Sequence, residues 1–346
     1  MKKKILLIVT AFLLMAVLPT LSLGGVEGIL RWIHPSSEQS STKEPSQKDE
    51  KKKTAFPSGL SFKILDTSSG KVVTVEDRSF CIGAVAYEMP PSFEAEALKA
   101  QCVACYTHFC RLRSRQRSNP DKELKGADFK ANLSEGEFFL SDEILSEKWG
   151  DSYRECLEKV TAAVDDTAGE VMTDSDGSYI DAAYHAISSG ETESAEDIFG
   201  KKDDHLLSCA SPGDRLAPRY QSQCTVSEQE FKEKILSLDQ NVQWDAQPEK
   251  WIGKIERTKP GTVKTIVIGG KNFDGAAIRT LFSLRSAHFS ISHQNGEFCF
   301  SVIGYGHGVG MSQYGAEYMA QQGADFRQIL SHYYHQPSFS SVSDLS

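Results

Sequence analysis

The sequence predicts an α+β fold in which helices mix with short, mostly antiparallel strands. Some segments are β-like runs bounded by turn residues, others repeat apolar residues at helical spacing, and no regular strand–helix–strand rhythm joins them. The 346 residues, 40% of them hydrophobic, suffice for a substantial core. A net charge of −9, from 38 basic and 47 acidic residues, argues against nucleic-acid binding. Eight cysteines are too few for a disulfide scaffold.

The N-terminal segment predicts a membrane anchor. Residues 5–26 carry no charge and, as a helix, are long enough to cross the hydrocarbon core of a bilayer. The three lysines within residues 1–4 predict that this stub stays in the cytoplasm. A signal peptide is the alternative, with Ser22-Leu23-Gly24 as a passable cleavage site. Either way, the rest of the chain is expected outside the cytoplasm.

A polar segment separates the anchor from the body of the protein. Residues 27–57 become rich in Ser, Lys, Glu, Gln and Pro, and this composition predicts a flexible stalk. Residues 58–338 are predicted to form the globular body, and residues 339–346 a short tail.

The body begins with a predicted β-hairpin over residues 61–65 and 71–75. The apolar run 80–87 predicts a strand that ends at Glu88, because the two prolines that follow exclude a helix through this point. A helix comes next, and its apolar stripe consists of Leu98, Cys102, Cys105, Phe109 and Leu112.

The stripe decides between two interpretations of Cys102-x-x-Cys105. The spacing matches a redox motif, but both cysteines lie on the apolar face of the helix. Small apolar filling of the core is therefore favoured over a redox or metal role.

The remaining elements follow from the same criteria. They are a mostly helical region over 115–160, a hairpin of 170–173 and 179–185 around the turn 174–177, strands over 262–268 and 297–303, and a helical segment over 312–334.

Glu88 is the first candidate for chemistry. It sits beside prolines on a stiff, non-helical backbone, near Tyr87, Met89 and Phe93. If these side chains shield it from water, its pKa rises and it can act as an acid near neutral pH. A solvated loop glutamate is the alternative.

The second candidate is the loop over residues 184–197, which begins at Tyr184-His185 and is rich in hydroxyl and carboxylate groups. Such a loop suits a polyhydroxylated ligand or a hard cation. A Ser–His catalytic pair is disfavoured, because Ser188-Ser189 lacks the nucleophile-elbow pattern. A capped surface turn is the alternative.

The third candidate is the loop Gly304–Gly310, in which glycines alternate with other residues. It fails both common phosphate-loop patterns. Tyr305, His307 and Gln313 around open glycine backbone suit a sugar ring, which offers an apolar face and hydroxyl groups. A glycine-rich strand-to-helix turn is the alternative.

Together, three segments resemble the stage II sporulation protein D family, the lytic transglycosylases of endospore formers. Residues 88–101 are similar to its Glu-Met-Pro and Ala-Leu-Lys-Ala-Gln segment. Residues 184–197 resemble its His-Ser-Thr-Ser-Gly-Gly loop, and residues 284–286 together with 306–316 match its C-terminal signature nearly residue for residue. The resemblance spans most of residues 60–335.

The resemblance implies that Glu88 is the catalytic acid/base of a peptidoglycan lytic transglycosylase. The expected reaction cleaves N-acetylmuramic acid-β-1,4-N-acetylglucosamine bonds of stem-peptide-free glycan to 1,6-anhydro products during engulfment. The substrate-binding residues expected from the three segments are Gln101, His185, Ser188, Ser189, Thr192, Arg285, Tyr305, His307, Gln313 and Tyr314.

The resemblance also implies partners and a location. The partners are peptidoglycan strands and stage II sporulation proteins P and M, of which protein P is the amidase that removes stem peptides. The location is the cell membrane, through a single N-terminal helix, with the body between the mother-cell and forespore membranes.

The chain departs from the family pattern in several places. Tyr106 stands where many members have Arg, and His108 where many have Tyr. Some clostridial members hold zinc through the loop histidine and cysteines, but the loop after His185 has no cysteine, so no metal or other cofactor is predicted. A disulfide between Cys209 and Cys224 stays open.

Two other functions compete with a lytic transglycosylase. The first is a non-catalytic glycan-binding module that stimulates a partner cell-wall amidase. The second is a secreted metal-dependent hydrolase built on His185, Glu191, His205 and His307, which lack a recognised ligand spacing.

Overall fold

The structure is a computed structural model that describes residues 56–345. The predicted anchor over residues 5–26 and nearly all of the predicted stalk lie outside the described residues. Within the described part, no helix is both long and apolar enough to span a bilayer. Residues 56–345 belong to one compact unit.

The helices pack mainly around one long member, α2. In chain order they are α1 (Asp77–Glu88), α2 (Ala95–Ser118), α3 (Asp142–Trp149), α4 (Tyr153–Asp166), α5 (Ala195–Phe199), α6 (Glu228–Leu238), α7 (Gly275–Leu281), α8 (Gln313–Gln321) and α9 (Phe326–Tyr333). α2 contacts α1, α4, α8 and α9. Its predicted apolar stripe is confirmed, because four of the five stripe residues are buried and Leu112 packs against the same core.

The strands form small sheets. They are β1 (Ser61–Asp66), β2 (Val72–Glu76), β3 (Phe129–Ala131), β4 (Glu170–Thr173), β5 (Tyr184–His185), β6 (Gln221–Ser227), β7 (Ile252–Arg257), β8 (Val263–Ile268), β9 (Lys271–Asp274), β10 (Phe289–Gln294), β11 (Glu297–Ile303), β12 (Met311–Ser312) and β13 (Ser338–Ser341). The sheet orders are β2-β1-β3, β10-β11-β6, β12-β5, β13-β4 and β7-β8-β9. Pairing is antiparallel except for β1–β3 and β5–β12, so the predicted α+β class is confirmed.

Two large hydrophobic cores and one small cluster, around Leu140 and Leu145, lie among the described residues. The helical core gathers side chains from α1, α2, α4, α8 and α9. The sheet core lies between the strands from β6 to β11 and the helices α6 and α7. It is rich in stacked aromatic rings around Phe231. The chain enters the sheet core after residue 220 and returns to the helical core through the loop Gly304–Gly310.

The predicted strand over residues 80–87 is wrong, because this run lies within α1. Its buried residues Phe80, Cys81, Ala84 and Val85 recur at helical spacing on one face. The prediction that the prolines end regular structure is confirmed. The helix stops at Glu88, and Met89 is extended with φ −125° and ψ 145°.

The predicted hairpin over residues 170–173 and 179–185 forms only in part. The two segments meet at a single bridge, from Thr173 to Tyr179. β4 pairs along its length with β13, which includes the first residues of the predicted tail. β5 pairs in parallel with β12, so its partner lies far along the chain.

A buried ion pair fixes α2 against the start of α1. Arg113 Nη1 donates to both carboxylate oxygens of Asp77, at 2.8 and 2.9 Å, and both side chains are at most 5% exposed. The Tyr106 hydroxyl donates to the same carboxylate at 2.6 Å. Tyr106 is therefore a core residue, whereas His108 lines the cleft described below.

This network predicts a graded loss of stability. Arg113→Met leaves the Asp77 carboxylate buried without its cation, and we expect the free energy of unfolding to fall by about 3–5 kcal/mol. Tyr106→Phe removes one hydrogen bond to a charged group, and we expect a fall of about 1.5–3 kcal/mol. Urea denaturation measures both values.

The control is Arg78→Met, which breaks the exposed pair of Arg78 with Asp165. Exposed pairs contribute about 0–1 kcal/mol, so this variant should remain close to wild type. If Arg113→Met is no more costly than Arg78→Met, the buried pair does not stabilise the fold as described.

Candidate active site

A cleft of about 1040 Å³ opens beside the C-terminal end of α1. We call it the Glu88 cleft. It brings together seven of the residues predicted for catalysis or substrate binding: Glu88, His185, Arg285, Tyr305, His307, Gln313 and Tyr314. Residues far apart in the sequence therefore share one surface.

Glu88 is held by two hydrogen bonds. The Tyr184 hydroxyl donates to Oε1 at 3.1 Å, and Gln313 Nε2 donates to Oε2 at 3.3 Å. Burial raises the pKa of the Glu88 carboxyl above its ordinary value, while these two hydrogen bonds act in the opposite direction. The carboxyl is thus fixed in position and partly withdrawn from water. Both properties suit a general acid that must hold its proton near neutral pH.

Gln101 supports this arrangement from behind the cleft. It is fully buried, and its Oε1 accepts a hydrogen bond from Gln313 Nε2 at 3.4 Å. Gln313 therefore bridges Gln101 and Glu88. Gln101 does not line the cleft, so its place is that of a positioning residue, not of a substrate contact.

A glycine-rich loop contributes to one wall of the cleft, which Gly306 lines. Gly304, Gly306, Gly308 and Gly310 all have positive φ, between 72° and 112°. A Cβ at Gly306 would lie 2.8 Å from His185 Cβ, and one at Gly310 would collide with the carbonyl oxygen of Ala183. Glycine is therefore needed here for close approach to β5, which explains the alternation seen in the sequence.

Two neutral histidines stand against this wall. The Nδ1 of His185 bonds the carbonyl of Val309 at 3.0 Å, and the Nδ1 of His307 accepts from the Val309 amide at 3.0 Å. Burial lowers the pKa of His185 to about 4. Burial, then the charges of His185 and Arg279, lower the pKa of His307 to about 3. Both rings are uncharged at neutral pH.

The predicted loop residues Ser188, Ser189 and Thr192 do not line the Glu88 cleft. Ser188 Oγ accepts the Gly190 amide at 3.0 Å, and Thr192 Oγ1 accepts the Cys209 amide at 2.9 Å. Ser189 Oγ donates to the carbonyl of Glu191 at 3.2 Å. These hydroxyls shape the loop that carries His185.

Asp214 is a buried residue of the site that the sequence analysis missed. It is 0% exposed, and it accepts the Ser188 amide at 2.8 Å and the Ser312 hydroxyl at 2.6 Å. It thereby ties the His185 loop to the residue before Gln313. No local pattern marks it, because its partners come from two distant segments.

Arg285 and Tyr305 form a pair at the cleft wall. The guanidinium of Arg285 lies 4.4 Å from the centroid of the Tyr305 ring. Among the residues that the structure describes, no carboxylate lies within 4 Å of it. The cleft therefore presents a cation that is free to meet an anionic group.

The residues present do not form a zinc site. His185 Nε2 is buried without a hydrogen-bond partner, but no group of three His, Cys, Asp or Glu side chains within residues 56–345 is arranged to hold a metal. The four residues of the metal-hydrolase alternative are not such a group. Cys209 and Cys224 are both free thiols, so the pairing left open by the sequence is not formed.

Comparison with known proteins assigns the chain to a family. A family model described as Stage II sporulation protein matches residues 66–173. Stage II sporulation protein D of Bacillus amyloliquefaciens is 36% identical over 282 residues, which cover 81% of this chain and 79% of that protein. Its counterpart in Bacillus subtilis (strain 168) is 34% identical over 282 residues, with the same coverage.

The chain therefore belongs to the stage II sporulation protein D family of sporulation proteins, and the resemblance found in its sequence is confirmed. It is also similar to a protein named amidase enhancer from Bacillus subtilis (strain 168). That protein is 24% identical over 304 residues, which cover 73% of this chain and 39% of the enhancer.

The geometry predicts how the Glu88 proton responds to its neighbours. In Tyr184→Phe the carboxylate loses a donor that favours its charged form, so we expect the pKa of Glu88 to rise further above that in wild type. Carbon-detected NMR titration of glutamate-labelled protein measures this shift. Tyr87→Phe, at a cleft residue that does not bond Glu88, is the control. A lower pKa in Tyr184→Phe would contradict the assigned hydrogen bond.

Proposed function

We propose that this chain is a peptidoglycan lytic transglycosylase that acts on stem-peptide-free glycan during engulfment, with Glu88 as its single acid/base. The observation that carries the proposal is the state of the two acids that line the cleft. Asp181 pairs with Arg111 at 3.1 Å, whereas Glu88 has hydrogen bonds but no cationic partner among the described residues.

One available carboxyl favours an intramolecular reaction. Hydrolases of such bonds usually need a second carboxylate as nucleophile or base. In the proposed reaction, the Glu88 carboxyl donates its proton to the departing O4 of N-acetylglucosamine as the glycosidic bond breaks. The C6 hydroxyl of N-acetylmuramic acid then attacks C1, and the Glu88 carboxylate takes its proton. The 1,6-anhydro ring forms, Glu88 is again protonated, and no external nucleophile is required because the hydroxyl is already tethered.

The neighbouring residues support this role for Glu88. Tyr184 and Gln313 hold the carboxyl in one orientation at both oxygens. His185 and His307 remain neutral, so neither places beside Glu88 a positive charge that would lower the pKa of its carboxyl. Tyr305 is 47% exposed and offers a ring face on which a sugar can stack.

Arg285 supports glycan without stem peptides as the substrate. Removal of the peptide turns the lactyl amide of muramic acid into a free carboxylate. Arg285 lines the same cleft as Glu88 and has no acidic partner within the described part of the chain. A guanidinium is well suited to bind a carboxylate through paired hydrogen bonds.

The location and partners form part of the same proposal. An N-terminal membrane helix would hold the body between the mother-cell and forespore membranes. There, stage II sporulation protein P would supply the stripped glycan, and stage II sporulation protein M would be a further partner.

A second function has separate support. The similarity to the amidase enhancer favours a module that binds glycan in the Glu88 cleft and stimulates a partner amidase. In that case glycan products from this chain alone are absent, and added chain increases peptide release by the amidase.

The decisive experiment compares two carboxamide variants. Glu88→Gln should lower the release of 1,6-anhydro products from stripped glycan by about a hundredfold or more, because the proton donor is lost. Asp181→Asn, at the other acid of the cleft, should retain most activity. Mass spectrometry of the products measures both.

Stability provides the control for Glu88→Gln. A carboxyl with a raised pKa in the folded state destabilises the fold as pH rises above its unfolded pKa, so the variant should melt no lower than wild type at pH 7. No anhydro product from wild type, or equal loss in both variants, would contradict the single-carboxyl mechanism.

Arg285 provides a test of substrate charge. Arg285→Gln should raise KM for stripped glycan about tenfold or more, because a charged hydrogen-bond donor is lost. Binding of an N-acetylglucosamine oligosaccharide, which has no carboxylate, should change little. The exposed Lys259, which pairs with Glu191 outside the cleft, provides the control Lys259→Gln. Equal weakening for both ligands would contradict carboxylate recognition.

A further inference from the structure

A second cavity of about 390 Å³ lies on another side of the glycine loop, between the loop after His185 and the elements β8 and α7 of the sheet core. We call it the Glu193 cavity. It shares Phe199, Gly306 and His307 with the Glu88 cleft, but Glu88 does not line it. Its volume falls within the range of pockets that hold small molecules.

The first feature of this cavity is a buried carboxyl with one unused oxygen. Glu193 is 3% exposed. Its Oε1 accepts the Thr258 hydroxyl at 2.8 Å and the Thr262 amide at 3.3 Å, while Oε2 has no hydrogen-bond partner. A buried acceptor without a donor is costly, and a ligand that brings a donor removes that cost.

The second feature is the guanidinium of Arg279, which has no carboxylate partner within residues 56–345. Arg279 lines the cavity, and within residues 56–345 no carboxylate lies within 4 Å of its guanidinium. Its Nε reaches only the carbonyl of Leu284, at 3.4 Å. The terminal nitrogens of Arg279 are therefore available to a ligand.

The other charged groups around the cavity already have partners. Lys264 pairs with Asp197 at 3.0 Å, and Glu191 pairs with Lys259 at 3.2 Å. Asp274 caps α7 by accepting the amide of Ala276 at 2.7 Å. One negative and one positive group remain, and they do not pair with each other.

The walls of the cavity also include apolar side chains, among them Ile198, Val263 and Ala287. A cationic ligand would meet Arg279, and an anionic ligand would meet Glu193. A compact ligand with both charges satisfies both groups and places its apolar part against the walls.

We propose that the Glu193 cavity binds a small zwitterion, with its ammonium on Glu193 and its carboxylate on Arg279. A free α-amino acid and a short peptide whose two termini are both unblocked share this chemistry. The proposal is independent of glycan cleavage, because neither Glu193 nor Arg279 lines the Glu88 cleft.

The experiment is a ligand-observed NMR screen of the full-length protein, followed by calorimetry. The probes are the L- and D-forms of the common amino acids and unblocked dipeptides. We expect at least one probe to bind, and free amino acids and dipeptides form separate arms that identify the source. For each binder, its N-acetyl and its amide derivatives, which lose one charge each, should bind at least about tenfold more weakly.

Three variants locate the site. Glu193→Gln and Arg279→Gln should each weaken the binder at least about tenfold. Ala276→Trp, at an exposed position of the cavity wall, should fill the cavity and remove binding while leaving the melting temperature close to wild type. Glu88→Gln should bind the probe as wild type does, whether or not the chain cleaves glycan.

Three outcomes would overturn the proposal: no probe binds, blocked derivatives bind as well as their parents, or Ala276→Trp binds unchanged. Because Ala276→Trp does not alter Glu193 or Arg279, its result holds even if the charge variants fail to fold.

Discussion

The contact between the β5 segment and the glycine loop is the interaction on which both cavities depend. Ile187 and Tyr305 exchange backbone hydrogen bonds at 3.0 and 2.8 Å, and the Glu193 amide donates to Gly308 at 2.7 Å. These bonds join the loop that leaves the helical core to the loop that returns from the sheet core. A side chain at these glycine positions would keep the two backbones apart. The glycines are therefore required for the site to form.

Around this contact, the main feature of the protein is the charge state of the side chains that line the Glu88 cleft. Glu88 is the free acid of its cleft, the two histidines are held neutral, and Asp181 is balanced by Arg111. Arg285 lines the same cleft, and no carboxylate within residues 56–345 lies within 4 Å of its guanidinium. Such a cleft suits a substrate that carries its own nucleophile and a negative charge. The proposed glycan carries both, as the C6 hydroxyl and the lactyl carboxylate of muramic acid.

Local patterns in the sequence predicted much of the fold. The hairpin of β1 and β2, the strands β8 and β11 and the stripe of α2 are confirmed, because each depends on short-range periodicity. The strand predicted over residues 80–87 is wrong, because a short apolar run has the same pattern in a buried strand and in a buried helix. Gln101 and Glu88 were found through the family motif, but Asp214 and the pairing of β5 with β12 depend on contacts between distant segments. Contacts of this kind produce no pattern in the local sequence.

The helical core also contains four buried thiols, those of Cys81, Cys102, Cys105 and Cys110. Burial raises the pKa of Cys81, Cys105 and Cys110, so in the folded protein these sulfurs stay protonated and unreactive. Before folding they have no such protection. In the oxidising space proposed for this chain, collapse of the helical core and random disulfide formation would therefore compete for these four thiols.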